Sequence, residues 1–339
     1  GLGDVYKRQG KWSFSIDRQD NGEKEKWFSH TLNDFINLPG SMPEKLKGDE
    51  VTAKTQWTGS LYDSSYYYNP YMEKYRKEGN IKFPFFLTPD KHYVGAAWYQ
   101  KEVNIPADWK GERILLFLER PHIETTVWVN GQKTGIQNSL CVPHQYDITR
   151  YVRPGKCTIT IRVDNRIKEI NVGPDSHSIT DQTQGNWNGI VGRICLQTTP
   201  KTYFDDIQIY PEPEQKLARV KVVIKGTGTA KVKLSAESFN TDKKHIVPAI
   251  QQEIKLNKGV TETEMVLPMG NDMLLWDEFH PALYKLKAEV TNGKKTEIKE
   301  IQFGMRRFEI KGKWFYVNGR KTQLRGTVEN CDFPLTGYA

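Results

Sequence analysis

The chain is poor in the residues that advertise metal or redox chemistry. It has 4 cysteines in 339 residues, Cys141, Cys157, Cys195 and Cys331, and no two are spaced C-x-x-C. Zinc-ribbon and thioredoxin-like sites need that spacing, so the cysteines are expected to serve as small core residues. Of the 7 histidines, His92, His122, His144, His177 and His280 stand alone with no i,i+4 pairing, so no metal site and no cofactor is expected. No apolar run approaches the ~20 residues of a membrane-spanning helix, and no secretory leader is legible. Helical periodicity is almost missing as well. The net charge of +8 comes from dispersed lysines, and Lys221, Lys225, Lys231 and Lys233 alternate with apolar residues as a solvated strand face does. A nucleic-acid surface would need a clustered basic patch, so nucleic acid is not an expected partner.

What remains is strands and turns. With 37% hydrophobic residues and 12% aromatics the chain can bury β-rich cores. Strand patterns are legible at Lys11 to Ile16, Ala97 to Ile105, Arg113 to Leu118, Thr125 to Val129, Cys157 to Val163 and Arg193 to Thr198, and Trp27-Phe28 also reads as strand-like. Asn130-Gly131 and Pro154-Gly155 supply turns. Short, regular spacing of these signals indicates a β-sandwich. Residues 55 to 92 form a long aromatic connection with one short helix at Pro70 to Lys77. Packing of its rings against the sandwich is preferred to a sugar platform. A boundary falls near Pro200. Beyond it, Ile207 to Tyr210, Ala218 to Lys225, Ala230 to Glu237, Gln252 to Leu256, Thr261 to Leu267, Leu283 to Thr291 and Lys294 to Phe303 make seven strands, the size of an immunoglobulin-like sandwich without its Cys-Trp-Cys set. The stretch from Phe303 to Ala339 then begins a hairpin, turning at Lys311-Gly312-Lys313 and Asn318-Gly319, with a further strand at Thr322 to Arg325. The opening GLGDVYKRQ resembles read-through of a sequencing adapter, so residues 1–9 are expected to be a non-native leader.

Six stretches, in order, resemble glycoside hydrolase family 2, the β-galactosidase and β-glucuronidase family. They are Leu38-Pro39-Gly40-Ser41-Met42; Trp98-Tyr99-Gln100-Lys101; Val127-Trp128-Val129-Asn130-Gly131 with Gly135 and Asp147-Ile148-Thr149; Asn188-Gly189-Ile190 to Arg193; Trp276-Asp277 to Pro281-Ala282-Leu283-Tyr284; and Phe303-Gly304-Met305-Arg306 with Asn318-Gly319 and Leu324-Arg325-Gly326. The resemblance implies an all-β fold: a jelly-roll sugar-binding sandwich over 10–200, an immunoglobulin-like sandwich over 201–302, and the first strands of a truncated (β/α)8 barrel over 303–339. It implies that the full-length parent is a retaining exo-glycosidase for terminal β-linked sugars. Such enzymes need two carboxylates about 5–5.5 Å apart. The family's pair is expected beyond Ala339, so no catalytic residue is assigned and this fragment alone is expected to be inactive. The alternative is a stand-alone carbohydrate-binding protein without hydrolase activity. By family habit the protein is expected in the periplasm or outside the cell.

Substrate contact is the chemistry that this chain can carry. Arg325 and Glu329 fall where a first barrel strand would end, the place where barrel function gathers. The family's best-known members carry a His-Glu pair there, and here Glu329 stands without the His. The segment Asp181-Gln182-Thr183-Gln184-Gly185-Asn186-Trp187-Asn188 offers a carboxylate and amides matched to sugar hydroxyls. Asp181, Asn186, Asn188, Arg325 and Glu329 are therefore the candidate substrate-binding residues, with a carbohydrate as the expected partner. Trp187 is expected to pack beneath the loop.

Overall fold

A computed structural model of the protein describes residues 5–7, 9–58, 69–82, 88–140, 142–168 and 185–327. Among them the fold is all-β, and the helical pieces are short 3-10 turns. Chain contacts divide it into two units, with the boundary along the sequence between Gln197 and Thr198.

The first unit is a sandwich. One sheet has six strands in the spatial order Gln132–Asn138, Glu124–Val129, Gly155–Asp164, Ala96–Ile105, Gly10–Asp17 and Asp34–Leu38. The other has Gly189–Thr199 at its centre, flanked by Arg113–Pro121 and His144–Asp147 on one side and by Val5–Lys7 and Gly40–Ser41 on the other. Part of the set-aside leader thus forms an edge strand, with Val5, Tyr6 and Lys7 opposite Gln197, Leu196 and Cys195. Period-2 alternation explains the core. Along Gly155–Asp164, Cys157, Ile159, Ile161 and Val163 all point inward and join Leu116, Leu118, Ile190 and Ile194 of the opposite sheet. The outward set, Thr160, Arg162 and Asp164, is buried too. Residues 18–32 lie across that outer face, where Trp98 and Trp128 stack at 4.9 Å and Phe28 stacks on Trp128 at 5.1 Å. Trp27–Ser29, read from sequence as strand-like, is a 3-10 turn in this covering segment, because no neighbouring strand is there to pair with it.

Asn130-Gly131 makes the expected hairpin: both residues have positive φ, and Val129 faces Gln132 across the turn. The long connection is tied at its ends by a ladder of Asp49–Glu50 on Lys91–His92. Its helix is a 3-10 segment, Pro70–Tyr75, capped by the Asn69 side chain. Trp57 packs edge-on against His92 at 4.7 Å. The remainder of the aromatic run lies outside the described residues, as do Cys141 and Cys331; Cys157 and Cys195 are buried.

The second unit holds the seven expected strands, and the one expected at Gln252 to Leu256 already begins at Ile246. Tyr203–Glu212, Leu217–Lys225 and Val260–Pro268 make a three-stranded sheet. Ile246–Leu256, Gly228–Phe239, Leu283–Asn292 and Lys295–Phe303 make a four-stranded one. Val220, Val222, Ile224, Val232, Leu234, Leu286 and Val290 fill the space between them. The motif around Trp276 and the motif at Phe303-Gly304-Met305-Arg306 are two halves of one joint. Trp276 N–H donates to Met305 O at 3.0 Å, the Arg306 guanidinium lies 4.8 Å over the indole, and a Cβ on Gly304 would meet Trp276 Cβ at 3.0 Å. The Tyr284 hydroxyl accepts from Leu274 N–H at 2.9 Å and bonds His245 Nδ1, closing the same corner.

Phe308–Lys311, Trp314–Val317 and Arg320–Thr322 form a small three-stranded sheet turning at Gly312 and at Asn318-Gly319. Asn318 anchors it: Oδ1 accepts from Arg307 N–H at 2.8 Å and Nδ2 donates to Trp276 O at 3.0 Å. The strand expected at Thr322 to Arg325 begins and ends earlier. Its pairing with Phe315, Tyr316 and Val317 is complete at Thr322, and among the described residues nothing continues the ladder for 323–327.

Candidate functional site

The polar residues of the first sandwich converge at one end of Gly155–Asp164, where the strand hands over to Asn165 and Arg166. The alternation of that strand puts Arg162 and Asp164 together on its outer face. Arg162 bonds Asp20 at 2.6 Å and Asp164 at 3.2 Å, and stands 3.7 Å from Glu124. Arg166 reaches both Asp164 and Asp20 at 2.6 Å, and Lys168 reaches Asp164 and Glu124 at 2.8 Å each. Three carboxylates and three cations therefore form one closed network around an Asp164 side chain with no solvent exposure.

The network sets the charge states. Burial works against ionisation of Asp164, but hydrogen bonds from Arg166 and Lys168 outweigh it and hold the carboxyl well below the usual range. Asp20 is lowered in the same way, burial being outweighed by Arg166 and Arg162. For Arg166, the hydrogen bond to Asp164 leads in making the protonated form still firmer. Asp164 and Asp20, held ionised by these cations, cannot serve as proton donors at neutral pH. What this arrangement can do is fix backbone: it clamps the end of the strand to residues 17–22, and Asp17 adds bonds from Gly22 N–H at 2.8 Å and Trp98 Nε1 at 3.0 Å.

Three amides continue the network inward. Asn165 accepts from Gly95 N–H and donates to Tyr93 O, both at 2.8 Å. Asn186 Nδ2 donates to Asn165 O and to Thr58 Oγ1, both at 3.0 Å. Asn188 Nδ2 donates to Gly95 O at 2.9 Å and Val163 O at 3.0 Å, while its Oδ1 accepts from the Tyr99 hydroxyl at 2.8 Å. Burial leaves Tyr99 with a hydroxyl pKa far above its ordinary value. Asn188 O also accepts from Met42 N–H at 2.8 Å, and Gly189 packs so closely on Gly40 that a Cβ there would lie 2.5 Å from Gly40 O. Met42 and Asn188 come from sequence stretches that look unrelated and form one joint.

Of the residues singled out in the sequence, Asn186 and Asn188 are thus brought together, 5% and 1% exposed, with both amide N–H groups of each spent inside the fold. They act as struts that fix the backbone of Asn165, Gly95 and Val163. Trp187 is 5% exposed and stacks on His122 at 4.5 Å and 18°. Arg325 lies in the second unit and is exposed. Asp181 and Glu329 lie outside the described residues. Sequence reasoning missed the six-member charge network. Its one local signal is the Asp164-Asn165-Arg166 run at the end of a period-2 strand, which places an acid on the face of Arg162. Among the described residues, no group of three or more His, Cys, Asp or Glu side chains is arranged to hold a metal, and no helix is long and apolar enough to cross a membrane.

Two sandwiches in series, the first stapled by buried amides and ion pairs, define an all-β scaffold. Residues 5–200 match the description "Glycosyl hydrolases family 2, sugar binding domain", and residues 202–306 match "Glycosyl hydrolases family 2". The chain belongs to glycosyl hydrolases family 2. It is 25% identical over 279 residues to the β-glucuronidase of Homo sapiens, covering 73% of this chain and 41% of that protein. It is 24% identical over 278 residues to the β-galactosidase of Thermoanaerobacter pseudethanolicus, covering 77% and 35%. A solved β-glucuronidase of Ruminococcus gnavus superposes with a TM-score of 0.67 at 19% identity, covering 96% of this chain and 48% of that one. The chain spans less than half the length of each of these relatives.

Proposed function

We propose that this chain is the non-catalytic, sugar-recognising N-terminal part of a retaining exo-glycosidase that hydrolyses terminal β-linked sugars. The observation that carries this reading is the family match across residues 5–200 and 202–306, beginning with a sugar-binding domain. The geometry supports it. The clustered carboxylates Asp20, Glu124 and Asp164 are bonded to cations and serve structure, whereas retaining hydrolysis needs one carboxyl group free to alternate between acid and base. In this reading the catalytic pair belongs to a barrel domain that follows the Phe308–Lys311 sheet. Phe308, Ile310 and Leu324, exposed at 48%, 68% and 64%, are the apolar surface which that domain covers. Asp181, Arg325 and Glu329 meet the sugar, while Asn186 and Asn188 position the segment carrying Asp181. The jelly-roll and immunoglobulin-like topologies and a periplasmic or extracellular location belong to the same reading.

The test is to express the complete reading frame and assay it on aryl β-D-galactoside, β-D-glucuronide and β-D-mannoside. Hydrolysis of at least one, with the β-anomer of the sugar released first, is the expected result. Inactivity on every β-glycoside, or first release of the α-anomer, overturns the reading. If the complete frame binds glycans but hydrolyses none, the stand-alone carbohydrate-binding role replaces it.

A further inference from the structure

At the open side of the first sandwich, Gln132–Asn138 edges one sheet and His144–Asp147 edges the other. The two strands are not ladder partners. The Gln137 side chain bridges them, donating to Gln145 O and accepting from Gln145 N–H at 3.1 Å. Beside this bridge lies a cleft of about 340 Å³ lined by Thr134, Asp147, Thr149, Arg150 and Tyr151. That is the lower end of the size range of small-ligand sites.

Its polar groups are held in place with capacity to spare. Asp147 Oδ1 accepts from Thr149 N–H at 3.1 Å and from Thr149 Oγ1 at 2.5 Å, and Oδ2 accepts from Arg113 Nε at 2.9 Å. A carboxylate oxygen has two acceptor sites, so Oδ2 keeps one. Thr134 Oγ1 donates to Val127 O at 3.0 Å, which leaves its lone pairs to accept. Arg150 stacks over the Tyr151 ring at 4.7 Å and donates to the Tyr151 hydroxyl. Among the described residues no carboxylate pairs with Arg150, whereas Arg113 already neutralises Asp147. Two guanidinium groups against one carboxylate leave one positive charge at the cleft, on a planar donor fork that suits a carboxylate. The carboxylate of Asp147 in the same cleft disfavours a small multiply charged anion and favours a ligand that also brings hydroxyl donors.

We propose that this cleft binds one acidic pyranose, a uronic acid residue of a glycan, with the sugar carboxylate on Arg150 and ring hydroxyls on Asp147 and Thr134. The proposal goes beyond the glycosidase reading, since it needs no catalytic residue and stands or falls on this chain alone. It is tested by following backbone amide resonances of the 339-residue chain during titration with methyl β-D-glucuronide, methyl β-D-glucoside and inorganic phosphate at constant ionic strength. The expected result is saturable shifts at Thr134 and Thr149 with a Kd of about 1 mM for the glucuronide, at least about tenfold weaker for the glucoside. Arg150→Gln abolishes the glucuronide response, and Arg150→Lys keeps part of it; Arg150 is exposed, so both variants should retain the parent spectrum elsewhere. Three outcomes overturn the proposal: no shift up to about 50 mM glucuronide, equal affinity for the neutral glucoside, or phosphate shifting the same residues equally well.

Discussion

The two sandwiches bury different chemistry. The core of the second is filled by apolar side chains, Phe204, Tyr284 and Phe303 among them, with Glu297, Thr202 and Thr261 as its buried polar exceptions. The first buries Asp164, Arg162, Glu124, Asn165, Asn186 and Asn188 at one end. Apolar contact holds two sheets together without caring which loop emerges where. Directional bonds from amides and ion pairs fix particular backbone atoms, and they become costly when one partner is missing. The polar sandwich is also the one that matches a sugar-binding domain. Under the proposed function, polar burial lies in the sandwich assigned to sugar recognition.

This contrast can be broken most forcefully at Asp164. Asp164→Asn leaves Arg162, Arg166 and Lys168 short of their shared carboxylate and should destabilise the first sandwich by about 4 kcal/mol, read as a lower urea midpoint of its tryptophan signal. Leu286→Ala, a fully buried position of the second core, should cost about 3 kcal/mol through a cavity. The two should differ with pH. The Asp164 contribution is present above its ordinary value of 3.8 and fades as pH falls below it, because the unfolded chain then takes up the proton first. The cavity penalty of Leu286→Ala should stay flat over the same range.

Asn188→Ala should cost about 2 kcal/mol, since Gly95 O, Val163 O and the Tyr99 hydroxyl lose a buried partner together. A smaller effect concerns His144, which bonds Thr125 Oγ1 at 2.6 Å and whose pKa burial lowers below 6.5. The folded state resists its protonation, so stability is intact above pH 6.5 and declines as pH falls beneath it. A modest loss of stability between pH 7 and pH 5 is expected in the first sandwich, and His144→Gln should remove it. The smallest effect belongs to Arg325→Ala, at an exposed position, where stability should change by less than about 0.5 kcal/mol.

The same contrast explains what was legible in the sequence. The seven strands of the second sandwich were readable because its cores alternate cleanly, as in Leu217–Lys225, where Ala218, Val220, Val222 and Ile224 all point inward. Asn130-Gly131 and Asn318-Gly319 were readable because their turns demand positive φ within two adjacent residues. The strand misplaced at Thr322 to Arg325 shows the limit: period 2 marks strand-forming residues, but a strand ends where its partner ends. The charge network was not legible, because Asp20 and Asp164 are 144 positions apart and nothing local to Asp20 signals a buried partner. Asn188 was singled out as a hydrogen-bonding residue for a sugar, and its amide bonds Gly95, Val163 and Tyr99 within the fold.

The most direct test of the division between recognition and catalysis is to assay the purified 339-residue chain on aryl β-D-glucuronide and aryl β-D-galactoside at neutral pH. Hydrolysis indistinguishable from the uncatalysed background is expected on both. Turnover at about 1 s⁻¹ or faster by the pure chain would contradict it and would require catalytic carboxylates within these residues.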